Sequence, residues 1–228
     1  MPPPPEPGGK PYGRGAFLLF VAGGLSSLAW ASPALRVIDS LLPGGAKALL
    51  PSEGWRIYTV GTSMPRFDVR SWRLRIDGLV SRPHDLDYDA LVRLPRAEQT
   101  SDFHCVTGWT VRNVRWAGVR FRDLLALAGP LPQAHALRFS SAEQPYEDTL
   151  TLDQASRPDA MLAYEMDGRP LSRPHGAPAR VVMPAMYGYK NVKWVERIEL
   201  VAHPSDGFWE KLGYDRDAWV GHSNGNGA

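Results

Sequence analysis

SDFHCVTGWTVRNVRW, residues 101–116, contains the only cysteine in a chain of 228 residues. A strand is predicted to run into Cys105, and Thr107-Gly108 supplies a turn that leads on to Trp109. A cysteine at a strand end beside a glycine turn can present its sulfur to a cavity. A buried, inert thiol is the other reading of the same residue. Successive strand side chains point to opposite faces, so His104 is a poor partner for Cys105 in a Cys–His nucleophilic pair. A single cysteine also excludes an internal disulfide and any multi-cysteine zinc or iron–sulfur site.

On either side of this stretch the pattern alternates between short strands and short helices. Trp72-Arg73-Leu74-Arg75-Ile76-Asp77 alternates apolar and charged residues and predicts a half-buried strand, closed by the Asp77-Gly78 turn. Leu86–Leu94 has helical spacing and stops at Pro95. Val119–Ala128 predicts an amphipathic helix ended by Gly129-Pro130. Strands are predicted at Ala136–Ser141, Thr149–Leu152, Met161–Met166, Arg180–Met183 and Val192–Ala202. The 21 prolines and 22 glycines imply many turns. The fold class expected is therefore α+β: one mixed, β-rich domain over residues 54–221. Residues 222–228 read as a disordered tail. A net charge of +2, without a concentrated basic stripe, gives no case for nucleic-acid binding.

The start of the chain reads differently. Residues 1–15 are rich in proline and glycine and are expected to be disordered. Residues 16–35 carry no charge and come after Lys10 and Arg14. They read as a signal peptide with an Ala29-Trp30-Ala31 cleavage site, or as a membrane anchor just long enough to span; a buried soluble helix is the third reading. Basic residues on the N-terminal side of this run place the rest of the chain outside the cytoplasm. Residues 36–53 read as a linker.

A second dense segment is HGAPARVVMPAMYGYKNVKWVERIEL, residues 175–200. Gly176 and Gly188 let backbone approach a ligand closely. Arg180, Lys190 and Lys193 place cationic donors near those glycines, a combination suited to a phosphate. A solvated hairpin with scattered lysines is the alternative. Neither a Walker loop nor a dinucleotide fingerprint is present.

Taken together, DFHCVTGW with RWAGVRFRDLL, HGAPARVVMP and YGYKNVKWVERIEL resemble the sulfite-oxidase-type molybdopterin domain. GWRIYTVGTSMP (54–65), WRLRIDGLV (72–80) and GFWEKLGYDRDAWVG (207–221) fit the same pattern. The similarity is to the single-domain bacterial branch, related to the catalytic subunit of periplasmic methionine-sulfoxide reductase. The resemblance implies a molybdenum–molybdopterin cofactor with the Cys105 thiolate on the metal, a soft donor suited to it. It implies that His175 and Arg180 hold the pterin and its phosphate, with Gly188, Tyr189 and Lys190 in the loop that adds further contacts; Lys193, from its charge and position, is the further cofactor-binding candidate. Tyr58 and Thr62 fall in the segment implied to close over the cofactor. The implied chemistry is two-electron oxygen-atom transfer, on a sulfoxide or a related small or protein-bound substrate. The chain departs from the full-length sulfite oxidases in ending before a C-terminal dimerisation domain and in lacking their cytochrome domain. HCVTGW also differs from the Cys-Ala-Gly-Asn pattern of the animal and plant oxidases, which argues against sulfite. Arg14-Gly15 stands where a twin-arginine export signal would have two arginines.

With its one cysteine assigned to molybdenum and no haem-attachment motif, the chain is expected to exchange electrons with an external partner, a membrane haem protein or a quinone. Two other functions stay open at this level. One is a cysteine hydrolase or transpeptidase using Cys105 and a distant histidine. The other is a non-catalytic domain of the same fold.

Overall fold

A computed structural model describes residues 54–224. The signal-peptide, anchor and linker readings of residues 1–53 lie outside them, as do residues 225–228. Among the described residues no helix is long and apolar enough to cross a membrane.

The first sheet contains β1 (Leu74–Gly78), β2 (His84–Leu86), β5 (Ala136–Ser141), β6 (Glu147–Thr151) and β10 (Val195–Val201), in the order β2-β1-β10-β5-β6. Only β1 and β10 run parallel in it; the other pairs are antiparallel. The alternation read at Trp72–Asp77 holds: Leu74 and Ile76 are buried and Arg75 is exposed. In β10 a register shift between Val195 and Arg197 lets Val195, Ile198 and Leu200 all turn inward.

The second sheet contains β3 (Ala97–His104), β4 (Thr110–Arg120), β7 (Met161–Met166) and β8 (Arg169–Pro170) in that order, with β9 (Arg180–Val182) also paired to β7. Its middle is covered on both faces. Leu162, Tyr164 and Val181 face the main core, while Met161, Ala163 and Val182 face a second cluster with Trp55, Val114 and Trp116. Burial on both faces explains why Met161–Tyr164 of β7 reads as an apolar run rather than an alternation.

Three short helices join these strands. In α1 (Tyr88–Val92) the Asp87 side chain caps the N-terminus by accepting from the Ala90 N–H at 2.7 Å. In α2 (Phe121–Ala128) Phe121, Leu124 and Ala128 are buried, and Gly129 closes the helix with φ +65°. In α3 (Leu152–Ala155) Thr151 and Gln154 form a reciprocal capping box.

Several boundaries differ from the sequence reading: Leu86 closes β2 and α1 begins at Tyr88, β6 begins at Glu147 and Leu152 opens α3, and β10 begins at Val195. Val119 and Arg120 belong to β4, the longest strand, and the helix starts at Phe121. Two irregularities interrupt the alternation there. Asn113 has φ +57°, held by Asp102 accepting its N–H at 2.9 Å, and Gly118 packs directly on the Leu162 backbone. Residues 222–224, expected in a tail, pack on the domain: Ser223 is buried, and the Asn224 side chain donates to Tyr189 Oη at 2.8 Å.

Candidate active site

A cavity of about 750 Å³, its open mouth included, forms where five segments meet. They are residues 55–60, the β3–β4 turn, the loop before β6, the 174–193 region and residues 209–214. The β3–β4 turn presents the cysteine. Cys105 N–H donates to Trp109 O at 2.9 Å, and Gly108, at φ +93°, donates to Cys105 O at 3.0 Å. That left-handed φ favours glycine. Phe103 and Cys105 line the cavity and His104 between them does not, as strand alternation requires. His104 instead bonds Thr110 Oγ1 at 3.1 Å.

Cys105 Sγ lies 3.2 Å from Thr107 Oγ1, and burial pushes its thiol pKa up. A nucleophilic cysteine needs the opposite shift, so burial does not by itself activate Cys105, although His175 lines the same cavity. Among the described residues no group of three or more His, Cys, Asp or Glu side chains could hold a metal ion. A metal at Cys105 must therefore bring most of its ligands with it.

The opposite wall is basic. Arg180 is 2% exposed, stacked 5.4 Å from the Phe103 ring centroid and 5.2 Å from that of Trp116. Its guanidinium donates to His175 O at 3.2 Å and, weakly, to Asn191 O at 3.5 Å. Its Nε is buried without a partner. Burial lowers Arg180 to about 10, which leaves it charged at neutral pH. His175 is lowered to about 4 by burial, then by Arg180 and Lys193, so its ring is neutral. Lys193 is lowered to about 7 by burial and by Arg180, with Glu143 opposing. Buried nitrogens without partners occur in three lining residues: Trp109 Nε1, His175 Nδ1 and Arg180 Nε. Unmet donors beside uncompensated positive charge suit an anionic, hydrogen-bonding ligand.

Residues 55–65 cross this cavity as a strap tied down by charged side chains. Val60 and Gly61 N–H donate to Glu143 Oε1 at 2.7 and 3.2 Å. Lys193 Nζ donates to Tyr58 O at 2.7 Å, and Arg173 Nε to Pro65 O at 2.8 Å.

Six of the residues singled out in the sequence therefore converge on a seventh, Cys105: Tyr58, His175, Arg180, Gly188, Tyr189 and Lys193. Two do not. Thr62 is exposed on the strap and outside the lining. Lys190 also lies outside it: the ammonium is 1% exposed and bound by Asp148 and by Glu210 Oε1 at 2.7 Å. The expectation that Lys190 offers its charge to a phosphate is corrected accordingly, because two buried carboxylates already hold it. Gly188 lines the cavity, and Gly176 does not. A Cβ on Gly188 would lie 2.4 Å from the Phe103 ring, and one on Gly176 2.8 Å from Lys193 Cβ. Each glycine therefore also lets neighbouring side chains pack closely. Sequence reasoning missed Trp55, Glu143 and Tyr146; Glu143 sits in SAEQPYED, where nothing distinguishes it from a surface carboxylate.

The description oxidoreductase molybdopterin binding domain matches residues 61–209. The chain is 36% identical over 154 residues to YuiH, an uncharacterized oxidoreductase of Bacillus subtilis, covering 67% of this chain and 77% of that protein. It is 32% identical over 180 residues to the protein-methionine-sulfoxide reductase catalytic subunit MsrP of Gluconobacter oxydans, covering 72% of this chain and 57% of that one. Among solved structures, the sulfane dehydrogenase SoxCD from Paracoccus pantotrophus superposes with a TM-score of 0.59 at 27% identity, over 63% of this chain and 41% of that chain. The chain thus spans little more than half of the methionine-sulfoxide reductase subunit and less than half of the SoxCD chain. The chain belongs to the oxidoreductase molybdopterin-binding domain family, with the sulfite-oxidase-type fold and a molybdenum–molybdopterin cofactor.

Proposed function

We propose that this domain catalyses two-electron oxygen-atom transfer, removing oxygen from a sulfoxide, with Cys105 as the protein's ligand to molybdenum. The observation that carries this reading is the convergence of the sole thiol and the unmet basic donors on one cavity. When bound, the molybdenum–pterin group supplies the redox and oxygen-transfer chemistry. The chain's residues supply the rest. Cys105, half-buried and with its thiol pKa raised, would be the residue that holds the metal, as its thiolate. The Arg180 guanidinium and Lys193 ammonium would neutralise the pterin phosphate, and the neutral His175 ring and the Trp109 indole would each be open to a ligand polar group. The strap, held by Glu143, Lys193 and Arg173, excludes water from this wall.

The cavity that holds Cys105 is lined by the apolar side chains of Trp55, Ile57, Phe103, Val106 and Trp109, which suit a neutral sulfoxide, and also by Arg56, whose charge acts on Cys105. Reduction of a sulfoxide to a sulfide and water takes two electrons and two protons. The electrons come from an external partner, for which we infer a membrane haem protein or a quinone; the relative MsrP is itself named as a catalytic subunit. We place the domain outside the cytoplasm, on the uncharged run and preceding basic residues at 10–35.

The test uses full-length protein from a host with intact pterin synthesis. Molybdenum should be present at about one atom per chain, and a reduced dye should drive sulfoxide reduction. Cys105→Ser should abolish turnover, since a serine hydroxyl is a harder, weaker donor. Metal-free protein with a reactive Cys105 would overturn the proposal in favour of thiol chemistry.

A further inference from the structure

Lys190, Asp148 and Glu210 form a buried unit that the chemistry above does not use. Their side chains are 1–2% exposed. Lys190 Nζ donates to Asp148 Oδ1 and Glu210 Oε1, and the Thr149 N–H also donates to Asp148 Oδ1, at 2.6 Å. The second oxygens, Asp148 Oδ2 and Glu210 Oε2, are both buried without a partner. The two carboxyl groups come together over Gly207: a Cβ there would lie 2.6 Å from Glu210 Oε2 and 2.9 Å from Asp148 Cγ.

Two features of this unit matter. First, each member lies one or two residues from a cavity wall: Asp148 from Tyr146, Lys190 from Tyr189, and Glu210 from Trp209. Tyr146 Oη donates to Tyr189 O at 2.6 Å, and Tyr214 packs edge-on against both Tyr189 and Trp209. The unit thus fastens the three segments that carry one aromatic side of the cavity. Second, its charges do not balance. Two ionised carboxylates on one ammonium leave a net negative charge in the interior, which is unfavourable without another cation. The groups that face it do not supply one. Tyr146 and Tyr189 are phenols raised by burial and by these carboxylates; Asp215 adds negative charge; Arg216 is half-exposed and paired with Asp206; Lys211 is paired with Glu147.

We propose that Asp148, Lys190 and Glu210 are positioning residues for the aromatic side of the cofactor cavity, and that Asp148 carries a proton that keeps the unit neutral. Asp148 Oδ2, buried without a partner, is where that proton resides. Burial, opposed by Lys190 and reinforced by Glu210, drives the Asp148 carboxyl up to about 8, consistent with a proton retained at neutral pH. The positioning half rests on the cavity being the cofactor site; the Asp148 proton does not.

Infrared spectroscopy of the full chain tests the proton. The carbonyl stretch of a protonated carboxylic acid should be present at pH 7, fade above about pH 8, and be lost in Asp148→Asn, where an amide replaces the acid. Absence of the band in wild type at pH 7, or its survival in Asp148→Asn, overturns the Asp148 proton. Molybdenum retained after dialysis at pH 7 tests the positioning. Glu210→Ala leaves a balanced Lys190–Asp148 pair but frees the Trp209 segment. It should fold and retain several-fold less molybdenum, and Glu210→Gln should restore the loss. Wild-type retention in Glu210→Ala overturns the positioning role. A chain that binds no molybdenum in any variant overturns the proposed function instead, while the infrared band still decides the proton.

Discussion

Raising the pH should loosen the cofactor through one side chain, Lys193. Its ammonium lies in a cavity where burial and Arg180 lower its pKa to about 7 against the opposing pull of Glu143. A bound phosphate restores the missing counter-charge and raises that pKa, so binding is linked to protonation. Below pH 7 the free side chain is already charged, and affinity is independent of pH. Above pH 7 each binding event takes up a proton, and affinity falls by at most about tenfold per pH unit. Between pH 7 and about pH 9 the charged fraction drops from about one half to about one hundredth, so the dissociation constant should rise roughly 50-fold. A phosphate monoester has finished its second ionisation, near about pH 6, before this window opens. The assay is dialysis of the loaded full chain at a series of pH values, with the remaining molybdenum measured by elemental analysis. Lys193→Met should show lower retention and a flat profile over the same window. Wild-type retention that is flat from pH 7 to about pH 9, or a Lys193→Met profile with the wild-type slope, would refute the linkage.

The same geometry sets three further outcomes. Arg180→Met should weaken cofactor binding by about 10- to 150-fold, the equivalent of about 1.5–3 kcal/mol for a charge-assisted contact. Thermal unfolding of the ligand-free variant should not fall below wild type, because Arg180 is buried with incomplete pairing; a large drop would mean that its role is structural. Lys190→Met should do the reverse, losing about 3–5 kcal/mol by stripping the one negative charge left on the buried carboxyl pair of its counter-ion. The melting temperature should then fall by about 6–20 °C, and a fall under about 2 °C would contradict the buried ion unit. Gly188→Ala forces a methyl within 2.4 Å of Phe103, an overpacking that costs about 1–3 kcal/mol; unchanged melting and unchanged molybdenum content together would show that this wall yields freely.

Much of the fold was legible because local rules decide it. The alternation at Leu74–Ile76, the cap at Gly129 and the strand entering Cys105 each depend on residues within a few positions of one another. β4 escaped because the left-handed Asn113 and the close approach of Gly118 to Leu162 break its period, and both are settled by the neighbouring strands. The site divides in the same way. Cys105, Arg180 and Lys193 announce themselves by residue type near glycines, His175 only by the family resemblance, and the cavity brings them together.

Lys190 and Lys193 show where that kind of reading stops. Three residues apart, they look alike in YGYKNVKW, yet one lines the cavity and the other faces Asp148 and Glu210. Residue chemistry alone determined that a thiol and several cations were available to hold a metal and an anion. Only the tertiary structure decided which cation is free to do so. A charge's partners come from strands and turns distant in sequence, β6 and residues 207–212 in the case of Lys190, and burial then sets whether that charge is spent on the fold or left for a ligand.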